Sequence, residues 1–409
     1  MTLDRRTFLA GSAAASIAAT IAGRAMAQGA TIDVASIHDL SGIFDAYGKP
    51  MEKAMQLAID EINAAGGLAG KQVKEISYDT QSQIPLYTQF GQQAALKDKV
   101  AVVMGGILSA SREAIRPTLK RFNTLYFYNT QYEGGVCDRN IFCTGVTPSQ
   151  SVEALIPYAM SRWGKKAYIL AADYNYGQII AKWVQHYVKM NGGETLQVDF
   201  FPLDVSDFGA TIAKIQAAKP DFVVSALVGG AHLSFYRQWA AAGMKSRIPM
   251  ASTTLGVGNE QIVLTKEEGD GILLAYNWSA EIDTPANKAF LAAWAKKFGQ
   301  ADVKEIHELA VATYQGMMLW AAAVKKAGTA DRMKVIEALE TGLSIEGPGG
   351  KITVDPKTHH CTLDVVVMEI KDQKLTVVKQ IPQVPPLDTQ AVCDLKANPN
   401  SNVQHEIKI

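Results

Sequence analysis

The chain has no surplus of either charge: its 409 residues contain 40 Lys and Arg against 40 Asp and Glu. A nucleic-acid partner calls for an excess of basic residues to replace the counterions on phosphate, so the balance argues against one. Beyond the first two dozen residues, no apolar run approaches the length of a membrane-spanning helix. No Gly-x-Ser-x-Gly elbow, phosphate-cradling glycine loop or His-Glu-x-x-His pair occurs. The seven histidines are scattered apart from the adjacent His359 and His360. A hydrolase needs a nucleophile, a base and a group that orients the base, and no such trio stands out. The expectation is a protein that is not an enzyme and carries no cofactor. Internal repeats are absent, as is low complexity beyond the N-terminal segment.

That segment is informative. Arg5-Arg6 and Phe8-Leu9 precede a short, mildly apolar Ala/Ser/Ile stretch broken by Arg24 and then Ala25-Met26-Ala27. A charged start, a short apolar region and a small-x-small triplet form the layout of a cleavable export signal. The arginine pair looks like its twin-arginine version. The expectation is export through the twin-arginine translocase, cleavage after Ala27 and a mature chain in the periplasm; an ordinary amphipathic helix is the alternative. No Cys follows the triplet, so no lipid anchor is expected. Four cysteines, Cys137, Cys143, Cys361 and Cys393, allow three disulfide pairings in an oxidising compartment. The nearness of Cys137 and Cys143 in a loop-like segment favours that local pair, worth about 2–2.5 kcal/mol in the chain-entropy model. Cys361 and Cys393 would then tie the C-terminal tail to the preceding strand region, the alternative being four buried thiols. His359-His360-Cys361 has no matching second cluster at metal-ligand spacing, so no metal site is expected.

From residue 31 to about 300, short apolar runs alternate with helical patterns, the mark of βαβ units. The expected fold class is α/β, with two doubly wound parallel-sheet lobes. Joints fall at 145–148, 276–285 and 347–350. They divide the chain into 28–147 plus 280–346 as one lobe and 148–279 plus 347–385 as the other. Three crossings then make the hinge, and 386–409 is a tail whose polar end, from residue 398, is expected to be loose.

Ligands of open parallel sheets bind beyond the carboxyl ends of the strands, and the residues there are hydroxyls, amides and aromatics. Ser109 and Ser111 begin a helix, where unpaired N–H groups suit a carboxylate or amide oxygen, or where serine simply caps. Tyr128 with Thr130, and Tyr174 with Tyr176, alternate so that each pair points to one side of an extended segment. Thr253 and Tyr276 stand at two later strand ends. Asp79 and Asp173 would each receive an ammonium group or hold a turn. Such a set encloses a small polar molecule and is poorly equipped for proton transfer.

These strand ends resemble the periplasmic solute-binding proteins of the branched-chain amino acid type, specifically the branch that binds urea and short-chain amides. The resemblance covers the mature chain and is carried by Glu61-Ile-Asn-Ala-Ala-Gly-Gly-Leu-Ala-Gly70, Ser109-Ala-Ser-Arg-Glu-Ala114, Tyr132-Glu-Gly134, Asn140-Ile-Phe-Cys-Thr-Gly145, Pro202-Leu-Asp-Val-Ser-Asp-Phe208, Ile282-Asp-Thr-Pro285 and Asp355-Pro-Lys-Thr-His-His360. It implies the type I periplasmic binding protein fold, with lobes joined by a three-strand hinge. It also implies an amide pocket at Ser109, Tyr128, Thr130, Tyr174 and Tyr176, and delivery of the solute to an inner-membrane ABC permease. The chain departs from the pattern twice: Ile107 stands where an aromatic is usual, and Leu255-Gly-Val-Gly258 replaces an acidic residue, with Glu260 slightly late. An aliphatic amino acid is the alternative ligand. A ligand-sensing regulator and a secreted amide hydrolase are the alternative roles.

Overall fold

The computed structural model describes residues 31–406, so the export-signal reading lies outside the described residues. Strands β1 (Ile32–His38), β2 (Val73–Asp79), β3 (Val102–Gly105) and β4 (Leu125–Tyr128) alternate with helices α1 (Asp45–Ala64), α2 (Ile84–Leu96) and α3 (Ser109–Arg121). Two short strands follow, β5 (Val136–Asp138) and β6 (Ile141–Cys143). All but β5 form one parallel sheet, ordered β2-β1-β3-β4-β6. The segments Val-Val-Met-Gly, Leu-Tyr-Phe-Tyr and Ile-Phe-Cys of β3, β4 and β6 are buried throughout, as expected for strands covered on both faces.

A second series consists of β7 (Lys166–Ala172), β8 (Glu194–Phe201), β9 (Phe222–Ala226), β10 (Met250–Ser252) and β11 (Leu273–Tyr276). Helices α4 (Pro148–Trp163), α5 (Asn175–Met190), α6 (Gly209–Ala218) and α7 (Gly229–Ala241) accompany it. Its strands run parallel in the order β8-β7-β9-β10-β11. Entry into this half is sharply signalled: Pro148 opens α4, and the Thr147 N–H donates to Gln150 Oε1 at 3.0 Å.

After β11 the chain returns to the first sheet as α8 (Pro285–Phe298), α9 (Glu308–Ala327) and α10 (Arg332–Leu339). Phe290, Trp294, Met317 and Trp320 share one core with Ile62, Val102 and Phe127. Next come β12 (Ser344–Gly347), β13 (Gly350–Val354), β14 (Cys361–Lys371) and β15 (Lys374–Val384). These strands extend the second sheet beyond β11 in antiparallel fashion. That sheet is therefore mixed, parallel only as far as β11. Early β14 (Cys361, Leu363) packs in the first core, whereas Val365, Val366, Val367 and Met368 pack in the cores of the second sheet. This strand bridges the halves within its own length.

Two expectations about the C-terminal segment are overturned. Far from being loose, Asn402–Gln404 forms β16, paired antiparallel with β5. Lys120 reaches the Ser401 carbonyl, Arg116 the Asn402 side chain and Arg112 the Gln404 side chain. The disulfide is Cys137–Cys393, spanning 256 positions, and Cys143 and Cys361 are buried free thiols. The reason is local. Cys143 lies on a sheet strand and packs with Tyr126, Tyr128 and Tyr132, whereas β5 stands outside that sheet, where Cys137 meets Cys393 and Leu395.

Candidate functional site

Segments that follow strands of both sheets meet in one small cleft, with a cavity of about 40 Å³. The start of α1 supplies Phe44, its N-cap, and Tyr47. Gly48 allows their approach, because a Cβ there would lie 2.1 Å from the Asp39 carbonyl oxygen. The turn after β3 supplies Ile107, Leu108 and Ser109, and the end of β4 supplies Tyr128, Thr130 and Gln131. From the second half come Tyr174, Tyr176, Val228, Thr254 and Val257, and from α9 comes Leu309.

On the first wall, three hydroxyls direct their protons backwards. Ser109 Oγ donates to Glu133 Oε2 at 2.7 Å. The Tyr128 hydroxyl donates to the Ile107 carbonyl at 2.7 Å, and Thr130 Oγ1 to the Gly106 carbonyl at 3.0 Å. What remains for the cleft is their lone pairs. Behind Ser109, Glu133 Oε1 also accepts from Arg112 at 2.9 Å. The Arg112 guanidinium lies 5.1 and 4.6 Å from the ring centres of Tyr128 and Tyr132. Burial alone would weaken its hold on the proton, but the Glu133 carboxylate keeps it firmly charged. Helix α3 begins behind Leu108, an extended residue with no side-chain cap, so its first N–H donors are available at the cleft.

Tyr174 and Tyr176 lie at the start of α5, Tyr174 as its N-cap, rather than alternating along an extended strand. Their rings stack with centroids 6.1 Å apart, so the two residues still share one side. The Tyr176 hydroxyl points to the Thr253 carbonyl and Oγ1, both at 3.3 Å. Burial raises both phenols above their ordinary range, so they remain protonated.

The halves are closed on each other. Gln131 Nε2 donates to the Thr253 carbonyl at 3.0 Å and the Tyr47 hydroxyl to Glu260 Oε1 at 3.2 Å. Asn259 Nδ2 donates to the Glu305 carbonyl at 2.6 Å. Glu260 is folded away from the cleft. It is buried against His232 at 3.0 Å and accepts from the Gly256 and Gly258 N–H groups. Burial would raise its pKa, but the His232 contact and those N–H donors bring it below the ordinary value. The late acidic residue is thus a satisfied structural carboxylate.

Ser109, Tyr128, Thr130, Tyr174 and Tyr176 therefore meet in one place, and five other candidates do not line it. Ser111 Oγ donates to the Leu108 carbonyl and accepts from the Ile107 N–H, fixing the turn. Asp79 accepts from the Leu40 and Ser41 N–H groups and the Ser41 hydroxyl, holding the β1 loop against β2. Thr253 acts through its carbonyl, as the anchor for Gln131 and Tyr176. The Tyr276 hydroxyl donates to the Leu255 carbonyl at 2.8 Å. Asp173 accepts from Gln178. Sequence reasoning missed Phe44 and Tyr47, at the start of α1; Val228 and Thr254 stand among the strand-end residues but are not singled out by it. Leu309 follows no strand, and its signal is only its place at the start of a helix. Its neighbour Glu308 is 2 % exposed, and neither carboxyl oxygen has a hydrogen-bond partner.

Among the described residues, no group of three or more His, Cys, Asp or Glu is arranged to hold a metal, and no helix is long and apolar enough to cross a membrane. His359 instead faces Glu340 at 3.1 Å, and His360 Nδ1 faces the Thr358 carbonyl at 2.8 Å.

A family model described as periplasmic binding protein domain matches residues 32–388. The chain is 28% identical over 358 residues to the leucine-, isoleucine-, valine-, threonine- and alanine-binding protein of Pseudomonas aeruginosa, covering 85% of this chain and 92% of that protein. It superposes with a TM-score of 0.79 and 24% identity on an R. palustris ABC-transporter solute-binding protein in complex with 4-hydroxybenzoate, over 87% of this chain and 98% of that one. The Streptococcus pneumoniae branched-chain amino acid transporter substrate binding protein LivJ, in complex with isoleucine, gives a TM-score of 0.74 at 23% identity, over 86% and 100% of the two chains. At these identities the solved structures speak for the fold.

Proposed function

The chain belongs to the periplasmic binding protein family, and we propose that it is the exported receptor of an ABC uptake transporter, binding a small uncharged amide- or urea-like solute. One observation carries the choice of ligand: none of the fourteen residues lining the cleft is Asp, Glu, Lys, Arg or His. A fully charged solute buried there would meet no opposite charge, and desolvating an unpaired ion is expensive. A neutral solute with a carbonyl and N–H groups suits the walls. Its oxygen faces the N–H donors opening α3 and its N–H groups face the lone pairs of Ser109 and Thr130, while Tyr174 and Tyr176 close the other side. Micromolar affinity amounts to about 8 kcal/mol, within reach of a few buried hydrogen bonds and aromatic enclosure.

In this reading the moving bodies are 28–147 with 280–346 and 148–279 with 347–385. The closed form docks on a membrane permease, and the twin-arginine translocase exports the chain, which is cut after Ala27. Binding occurs without transformation of the solute. An aliphatic amino acid is the second reading, favoured by the apolar wall of Phe44, Ile107, Val228 and Val257 and by what the P. aeruginosa relative is named for. Thermal-shift and calorimetric titration with urea, acetamide, propionamide, L-leucine, L-alanine and 4-hydroxybenzoate tests the choice. Stabilisation by an amide and not by the acids is expected; the reverse order overturns it.

A further inference from the structure

Glu133 lies in the turn between β4 and β5, buried and absent from the cleft lining. Both of its oxygens are engaged: Oε2 accepts from Ser109 Oγ at 2.7 Å, and Oε1 from Arg112 Nη2 at 2.9 Å. Arg112, itself buried, also donates to Glu113 Oε1 and to Gln404 Oε1, each at 3.0 Å. The C-terminal segment holds the Glu133 turn by its backbone. Gln404 Nε2 donates to the Gly134 carbonyl at 2.7 Å, and the His405 N–H to the Gly135 carbonyl at 2.8 Å. Gly135 has a φ of 91°, and a Cβ there would collide with the His405 carbonyl oxygen, so the approach needs glycine. A continuous chain of hydrogen bonds thus runs from β16 through Arg112 and Glu133 to a hydroxyl of the cleft wall.

We infer that Glu133 is a specificity-determining positioning residue, which makes the Ser109 hydroxyl an acceptor towards the cleft and so selects solutes that bring N–H groups. Arg112 carries donors only, so the oxygen that faces it must accept. A carboxylate paired with arginine has no proton to give, and Ser109 meets its other oxygen only by donating. The serine proton is then held behind the wall, and its lone pairs are left in front. A neutral amide in place of the carboxylate reverses that bond. Its oxygen stays with Arg112, its NH2 group donates to Ser109, and the serine proton is released to the cleft. No residue of the cleft lining changes in the exchange. The inference rests on the proposed binding of an N–H-bearing solute, and its test separates the two.

Parent, Glu133→Gln and the double variant Arg112→Gln with Glu133→Gln are compared by melting temperature and by calorimetry. The double variant leaves no charge buried alone. Acetamide is titrated against N,N-dimethylacetamide, which keeps the carbonyl and lacks both N–H groups. The parent should prefer acetamide, and that preference should shrink about tenfold or more in the variants, because the freed serine proton no longer demands an N–H donor opposite it. A purely structural role weakens both solutes alike; an acetamide preference equal to the parent's overturns the inference and leaves the amide reading standing. If the parent binds L-leucine and no amide, the neutral-solute reading falls. The double variant is then read on L-leucine against 4-methylpentanoate, which lacks the ammonium group: a preference reduced about tenfold supports the positioning role, and an unchanged one overturns it. A parent that binds none of the four solutes overturns both. If neither variant melts cooperatively, Glu133 serves the fold and the inference is overturned.

Discussion

Replacing Cys393 by Ser opens the cross-link to Cys137 and removes a constraint on a loop spanning 256 positions. In the chain-entropy model a loop of that length is worth about 5.5 kcal/mol, against about 2–2.5 kcal/mol for the short loop that a Cys137–Cys143 bond would close. The folded state loses little directly, since β16 keeps its pairing to β5 and its contacts with Arg112, Arg116 and Lys120. The effect therefore acts on the unfolded chain. Urea unfolding of the parent, Cys393→Ser, Cys143→Ala and Cys361→Ala, each with and without reductant, reads it out. Cys393→Ser should lose about 3–5 kcal/mol, allowing for the usual shortfall from the model, and should become insensitive to reductant. The two alanine variants should lose only about 1 kcal/mol for the small cavity and stay sensitive to reductant. A loss under about 1 kcal/mol for Cys393→Ser, or a reductant-insensitive Cys143→Ala, refutes the pairing and the entropic reasoning with it.

Two further outcomes follow from particular side chains. Burial, with the Glu52 carboxylate close by, pushes Glu75 up to about 8. The folded chain then holds a proton that the unfolded chain releases near pH 4.3, so stability falls as pH rises through that window, by up to about 1.4 kcal/mol per unit, and levels off above it. Melting curves from pH 5 to 9 should show a shallower decline for Glu75→Gln, and an unchanged slope sinks this assignment. Ser109→Ala and Tyr174→Ala should each abolish ligand-induced thermal stabilisation while leaving the ligand-free melting temperature within a few degrees of the parent; retained stabilisation in both means that the pocket is misplaced.

The layering was legible because its signals are local. Leu125–Tyr128 and Phe222–Ala226 are short apolar runs bounded by turn residues, and the structure makes each a strand with those limits. Strand ends likewise pointed to Ser109, Tyr128, Thr130, Tyr174 and Tyr176. The disulfide was not legible, because nothing near Cys137 in sequence reports that a strand 265 to 267 residues further on will pair beside it. That Asp79 and Tyr276 stand off the cleft was not legible for a related reason. A polar residue at a strand end can hold its own loop as readily as a ligand, and only the partner's position decides. Leu309 enters the cleft from a helix whose pattern reads as ordinary core.

The first wall decides what kind of solute fits better than its residue types do. Ser109, Tyr128 and Thr130 are amphoteric hydroxyls on paper, but in place all three have committed their protons to Glu133 and to two carbonyls of the β3–α3 turn. That turn therefore offers acceptors from its side chains and donors only from the helix start. In the proposed reading, a solute bound there brings N–H groups and one carbonyl-like oxygen. Successive methylation of an amide nitrogen keeps the oxygen and shape while deleting the N–H groups. Each deletion strands a buried acceptor at a cost of about 1–3 kcal/mol, roughly 5- to 150-fold in affinity. Acetamide, N-methylacetamide and N,N-dimethylacetamide should bind in that descending order by calorimetry. Equal or rising affinity across the series would mean that the lone pairs of Ser109 and Thr130 face something other than the ligand.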